Sequence, residues 1–195
     1  MSDPTVQPVP ASVVEQVDAA DSTLSDPRRA VISLGSNLGN RLETLQGAID
    51  ALEDTPGLRV KAVSPVYETE PWGVDPGSQP SYFNAVVVVK TTLPPESLLE
   101  RGQAIEEAFD RVRQERWAPR TIDVDIVAYA DEVSDDPSLT LPHPRAHERA
   151  FVLAPWHDIE PEAQLPGRGP VARLLDGVGQ EGVFARADLE LRLPE

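Results

Sequence analysis

The chain contains no cysteine. That excludes a disulfide framework and any thiolate metal site. No apolar run approaches the ~20 residues that a membrane-spanning helix needs. Bases are few: 17 Lys and Arg stand against 33 Asp and Glu, for a formal net charge of −16. A general nucleic-acid binder would need a basic footprint, so that class is excluded. A small anionic substrate is not, because a local field can oppose the global one. Residues 1–27 hold no Lys or Arg, so neither a secretory nor a mitochondrial leader is readable there. The expectation is a cytoplasmic monomer with no nucleic-acid or membrane partner.

A length of 195 residues suits one domain, or one domain and a tail. Residues 1–27 carry Pro4, Pro8, Pro10 and Pro27 together with five acids. They read as a disordered acidic tail, leaving 28–195 as the folded domain. From Ala30 the texture changes. Residues 30–34 form a short apolar run suited to a buried strand, broken by Gly35-Ser36-Asn37-Leu38-Gly39. Asn40 then offers an N-cap with Glu43 three residues on. Leu42, Leu45, Ala48, Ile49 and Leu52 follow at helical spacing, and Pro56-Gly57 punctuates the end.

Residues 58–67 predict a second strand, interrupted near Pro65, and 68–80 a Pro- and Gly-rich loop. Residues 83–91 are a strongly β-branched strand. Pro94 and Pro95 open a helix whose apolar face is Leu98, Leu99, Ile105 and Phe109. Residues 122–129 predict another strand and 131–144 a loop. Two short apolar segments remain, 151–156 and 171–175, the second helical. The order β-α-β-β-α-β with a C-terminal extension predicts a ferredoxin-like α/β sandwich, with a largely antiparallel sheet covered by helices.

The chemistry concentrates in residues 111–125. Arg111, Arg113, Arg116 and Arg120 fall close together in an otherwise acidic chain. Guanidinium offers a planar fork of donors that fits phosphate oxygens. An exposed helix end decorated with arginines is the plain alternative. Asp123 and Asp125 follow on a predicted strand, where residues two apart share one face with Cα atoms about 6.5–7 Å apart. Ile122, Val124 and Ile126 then face the core. Two carboxylates pointing into one space repel unless a cation neutralises them, and carboxylate oxygen suits Mg²⁺ bound together with substrate phosphates. A strand with a solvated polar face would carry the same pattern. Trp117 lies in the intervening loop, either as a packed plug or as a lid over a flat ligand.

Arg116-Trp117-Ala118-Pro119-Arg120-Thr121-Ile122-Asp123-Val124-Asp125 resembles the signature of the 6-hydroxymethyl-7,8-dihydropterin pyrophosphokinases. Leu34-Gly35-Ser36-Asn37-Leu38-Gly39, Tyr67-Glu68-Thr69-Glu70-Pro71-Trp72-Gly73, Tyr82-Phe83-Asn84 and Pro142-His143-Pro144-Arg145 resemble further motifs of that family, in the same order. The resemblance implies transfer of pyrophosphate from ATP to a hydroxymethyl-dihydropterin, with release of AMP and with two Mg²⁺ ions held by Asp123 and Asp125. It also implies that Arg111 and Arg120 contact the phosphates and stabilise charge during transfer. Arg113 and Arg116 would assist, with Arg149 as a further phosphate contact. The pterin would lie between Tyr82 and Phe151 and pair with Asn84. Thr69, Pro71 and Trp72 would add backbone contacts, and Trp117 would belong to a loop that closes over the site.

Leu99, Gln103, Glu106, Leu139, Thr140 and His143 would line the nucleotide side, with Ile126 contributing its backbone. Two positions depart from the pattern. Asp110 and Ala118 stand where the family often has glycine, which bears on loop dynamics and not on the metal ligands or the arginines. The competing reading from another class is a non-catalytic nucleotide-binding module on the same fold. Intact Asp123 and Asp125 speak against it.

Overall fold

The computed structural model describes residues 26–70, 79–110 and 122–195. The expected tail lies outside the described residues, apart from its last two. So do Pro71, Trp72, Arg111, Arg113, Arg116, Trp117 and Arg120.

The described chain builds a six-stranded sheet from β1 (Arg28–Ser36), β2 (Leu58–Val63), β3 (Tyr67–Thr69), β4 (Tyr82–Thr91), β5 (Asp123–Tyr129) and β8 (Val183–Ala185). The order across the sheet is β5-β1-β4-β3-β8, and β2 also pairs with β4. Each of these pairings is antiparallel. A separate two-stranded ribbon joins β6 (Gln164–Leu165) to β7 (Gly169–Pro170). Four α-helices accompany the strands among the described residues: α1 (Arg41–Glu53), α2 (Pro95–Asp110), α3 (Ala150–Ile159) and α4 (Val171–Val178). A 3-10 turn at Ala146–Glu148 leads into α3.

Local sequence explains the first elements. Asn40 caps α1, its Oδ1 accepting from the Glu43 amide at 3.4 Å. Leu45, Ala48, Ile49 and Leu52 form the buried stripe of α1, and Leu98, Gly102 and Ile105 that of α2. Both stripes lie on one face of the sheet, against Ala30, Ile32, Leu34, Ala85, Val87, Val89, Val124 and Ile126. Gly102 permits close approach of α2 to β5, because a Cβ there would stand 3.1 Å from Val124 Cγ1.

The other face is covered too. Val31, Val86, Val88 and Val127 pack there against α3 and α4 through Val152, Leu153, Trp156, Val171 and Leu175. This accounts for the unbroken apolar runs in β1 and β4: a strand buried on both faces loses its alternation. Segment 151–156, read only as a short apolar run, is the body of α3. Pro155 lies inside that helix, where it forgoes one hydrogen bond back to the Phe151 carbonyl. The C-terminal extension is thus structural cover for the second face. Through β8 it also supplies an edge strand, which the sequence reading had not predicted.

Trp156 is fully buried at the centre of this second core. Its Nε1 donates to Glu160 Oε2 at 2.8 Å, and Glu160 also accepts from Arg29 of β1. Trp156→Ala is expected to cost about 3–5 kcal/mol through cavity formation. Trp156→Phe keeps most of the volume and loses mainly the indole donor, for about 1 kcal/mol. Urea unfolding of both variants checks the ranking.

Candidate active site

The second face of the sheet changes character along its strands. On β1, Val31 packs against the helices, while Ser33 and Gly35 on the same face open into a cleft. On β4, Val88 and Val86 are followed by Asn84 and Tyr82; on β3, Tyr67 is followed by Thr69. On β5, Val127 belongs to the apolar half and Asp125 and Asp123 to the cleft. A register shift between Val31 and Ile32 lies within the apolar half, where Val127 and Ala128 both join the second core. Helix α3 covers only the apolar half. Its first turn, with Arg149 and Phe151, forms the wall where cover stops, and a cleft of about 360 Å³ begins there.

Pairing brings the strands into register. Asn84 stands opposite Gly35 on β1 and Tyr67 on β3, and Tyr82 stands opposite Thr69. Gly35 is the floor: a Cβ there would lie 3.3 Å from Asn84 Oδ1 and 3.8 Å from Tyr82 Cδ1. Asn84 is 4% exposed, and its Nδ2 donates to Thr69 Oγ1 at 2.9 Å. That bond consumes one amide hydrogen and fixes the plane of the amide. Burial, and secondarily the carboxylate of Asp123, raise the Tyr82 phenol above its ordinary value. Tyr82 is therefore a neutral hydroxyl-bearing ring at physiological pH.

Asp123 and Asp125 share the cleft face, and Val124 between them turns into the first core. β5 is a sheet edge, so its outer backbone needs another partner. Glu106 of α2 supplies it: the Val124 amide donates to Glu106 Oε1 at 2.7 Å. The aspartates are thus carried on a strand pinned from both sides.

One cation and one imidazole stand near Asp125. Arg149 Nη1 lies 3.6 Å from Asp125 Oδ2, and His143 Nε2 lies 3.9 Å from it. His143 Nδ1 accepts from the Arg145 amide at 3.1 Å, which places the proton of the neutral ring on Nε2. Burial pulls the His143 pKa below its ordinary value; Asp125 opposes that effect, and Arg149 and Arg145 reinforce it. The Arg149 guanidinium also lies over the Phe151 ring, 5.6 Å from its centroid.

The expected site residues divide accordingly. Thr69, Tyr82, Asn84, Phe151, Glu106, Asp123, Asp125 and Arg149 line one cleft, and His143 reaches it through Asp125. Leu99 and Leu139 pack beside the first core, and the Ile126 side chain is buried in it. Gln103 lies exposed on α2, and Thr140 Oγ1 donates to the Asp136 carbonyl at 3.1 Å. Ser33, Gly35 and Glu70 also line the cleft and had not been singled out for it. For Ser33 and Gly35 the signal was present as alternation with Ile32 and Leu34.

A family model described as 7,8-dihydro-6-hydroxymethylpterin-pyrophosphokinase (HPPK) matches residues 31–161. The chain belongs to the HPPK family. It is 42% identical to the 2-amino-4-hydroxy-6-hydroxymethyldihydropteridine pyrophosphokinase of Pseudomonas aeruginosa, over 80% of this chain and 95% of that one. It is 45% identical to the protein of the same name from Methylorubrum extorquens, over 71% of this chain and 87% of that one. For the Mycobacterium tuberculosis protein the identity is 44%, over 75% and 82%.

Among solved structures, a Plasmodium falciparum HPPK-DHPS triple mutant with pteroate superposes with a TM-score of 0.64 at 17% identity. That match covers 84% of this chain and 48% of the Plasmodium chain, so this chain spans about half its length. At that identity the likeness speaks for the fold: a mixed α/β domain with an antiparallel sheet.

The floor of this cleft has little room for a side chain. Gly35→Val would project two methyl groups into space now bounded by Asn84 and Tyr82. The expected result is at least a tenfold rise in KM for a dihydropterin, on the order of the loss from blocking a fitted pocket. Steady-state kinetics, with circular dichroism as a control for folding, measure it.

Proposed function

We infer that this chain transfers pyrophosphate from ATP to 6-hydroxymethyl-7,8-dihydropterin in folate biosynthesis. Membership of the HPPK family carries this reading, with identities of 42–45% to pyrophosphokinases across most of their length. In the reaction, the hydroxymethyl oxygen bonds to the β-phosphorus of ATP. The bond from that phosphorus to the oxygen bridging the α-phosphate breaks, AMP leaves with that oxygen, and the hydroxyl proton is released.

The donor set of the cleft fits Mg²⁺. Asp123 and Asp125 present hard oxygen ligands on one face, and among the described residues no group of three or more His, Cys, Asp or Glu could enclose a metal. Mg²⁺ commonly takes one or two carboxylates and completes its shell with substrate phosphates and water. Asp123 and Asp125 would hold the metal, as two ions by analogy with the family. When bound, it would neutralise phosphate charge and orient the triphosphate.

The residues of the chain do the rest. Tyr82 and Phe151 flank the flat pterin, and Asn84, oriented by Thr69, reads its polar edge. Arg149 and the neutral His143 face the phosphate side of Asp125. Leu99, Gln103, Glu106, Leu139 and Thr140, with the Ile126 backbone, form the nucleotide side. By resemblance to the family, Arg111 and Arg120 would contact the phosphates with Arg113 and Arg116 assisting, Pro71 and Trp72 would add backbone contacts to the pterin, and Trp117 would belong to a loop that closes over the site.

The strand order supports a ferredoxin-like core, in which β2 and β3 share the place of one strand beside β4. The proposed assembly is a monomer. No described helix is long and apolar enough to cross a membrane. A cytoplasmic setting is the proposed location, where ATP is at hand and a cysteine-free chain needs no oxidising compartment.

With ATP, Mg²⁺ and the hydroxymethyl-dihydropterin, the expected nucleotide product is AMP. ADP would point instead to transfer of a single phosphoryl group. Asp123→Asn and Asp125→Asn are each expected to lower kcat by at least about a hundredfold with the fold intact. Near wild-type turnover in either would remove the metal assignment. Deleting residues 1–27 is expected to leave kcat/KM within about twofold, as for a segment outside the catalytic domain.

A further inference from the structure

The family match ends at residue 161, yet the chain beyond it reaches the back of the cleft. β3 is only three residues long. It pairs with β4 on one side and with β8 of the C-terminal segment on the other. Thr69 faces the cleft from this strand, so its neighbour Glu68 faces the opposite side of the sheet. There the Glu68 carboxylate gathers three contacts. Its Oε2 accepts from Arg186 Nη1 at 2.5 Å, and its Oε1 accepts from the Ser81 hydroxyl at 2.5 Å. Arg41 Nη1, from the first turn of α1, stands 3.5 Å from the same Oε1 and donates to both the carbonyl and the hydroxyl of Ser81 at 2.7 Å. Phe83 lies beneath both guanidinium groups, 3.7 Å from Arg41 Cζ and 5.4 Å from Arg186 Cζ.

Glu68 and Ser81 stand on either side of the segment 70–80. One carboxylate and two arginines therefore tie together the two roots of that segment, immediately behind Thr69, Tyr82 and Asn84. Arg186 is held for this task. Its Nε and Nη2 donate to Asp188 at 2.8 and 2.7 Å, and its amide donates to the Val66 carbonyl at 2.8 Å. The C-terminal segment that carries Arg186, a strap along the sheet edge, does not depend on it for attachment. Leu189 and Leu191 pack against the first core, and Gln46 of α1 exchanges two hydrogen bonds with the Arg192 backbone, at 3.1 and 2.8 Å.

We propose that Arg186 is a positioning residue for the pterin half of the cleft, acting through Glu68 to fix β3 and the roots of the 70–80 segment. Its position is set by a segment beyond the family match, so the C-terminal strap completes the site from behind. The proposal rests on the reading of Thr69, Asn84 and Tyr82 as the pterin side.

The test uses the full chain with ATP, Mg²⁺ and the hydroxymethyl-dihydropterin. Arg186→Ala is expected to raise KM for the dihydropterin three- to tenfold while KM for ATP and kcat stay within twofold. Arg186→Lys, which can keep the bond to Glu68, is expected to recover most of that loss. In a Glu68→Gln background, Arg186→Ala is expected to add less than twofold. The proposal is overturned if Arg186→Ala lowers Tm without moving the dihydropterin KM. It is equally overturned if both KM values and kcat shift together, or if the two substitutions act independently. Thr69→Val and Asn84→Ala test the underlying assignment separately. If neither affects the dihydropterin KM in an active enzyme, the pterin reading of this half is wrong, whatever Arg186 does.

Discussion

One face of one sheet has to be dry at one end and polar at the other. Helix α3 makes that division. Its apolar residues cover Val31, Val86, Val88 and Val127, and its first turn stops short of Ser33, Gly35, Asn84, Tyr82, Asp123 and Asp125. A polar side chain under α3 would need a buried partner, and an apolar one beyond it would face solvent. The boundary between core and site is therefore set by where a single helix begins, and the strands beneath it change residue class at that level.

Rigidity around the cleft follows from how its edges are tied. β5 is an outer strand carrying the two aspartates, and Glu106 occupies its otherwise unpaired backbone. β3 is a very short strand carrying Thr69, and β8 closes its other side. The first repair comes from the helix that precedes β5 in the chain, the second from an element more than a hundred residues away. They allow a site built from four strands to hold its side chains within the tolerance that positioning and charge stabilisation demand. The acidic chain presents its carboxylates where a cation can join them, and it gathers Arg149 and His143 on the same spot.

Much of this was legible before the structure. The stripe of α1 and its Asn40 cap, the β-branched run of β4 and the shared face of Asp123 and Asp125 follow from spacing alone, because helical and extended backbones impose fixed side-chain periods. Segment 151–156 was not legible as a helix. A short apolar run fits either a buried strand or a buried helix, and Pro155 argues against the form it takes. β8 was invisible as well: Val183–Ala185 is too short to show a period, and its pairing with β3 is a contact across more than a hundred residues. Ser33 read as part of a core strand and Gly35 as the break after it, until Asn84 and Tyr82 were placed beside them.

The sequence by itself determined which residue types could do the chemistry and which of them lay on one face of their own element. Local backbone geometry is sufficient for that. Only the tertiary structure decided that Thr69, Asn84, Asp125 and Arg149 meet in one cleft, that Gly35 is its floor, and that Arg186 stands behind it. Those juxtapositions depend on strand order, on register and on which half of a face a helix covers. They are fixed by packing the whole core at once, a sum over distant contacts that no short window of sequence contains.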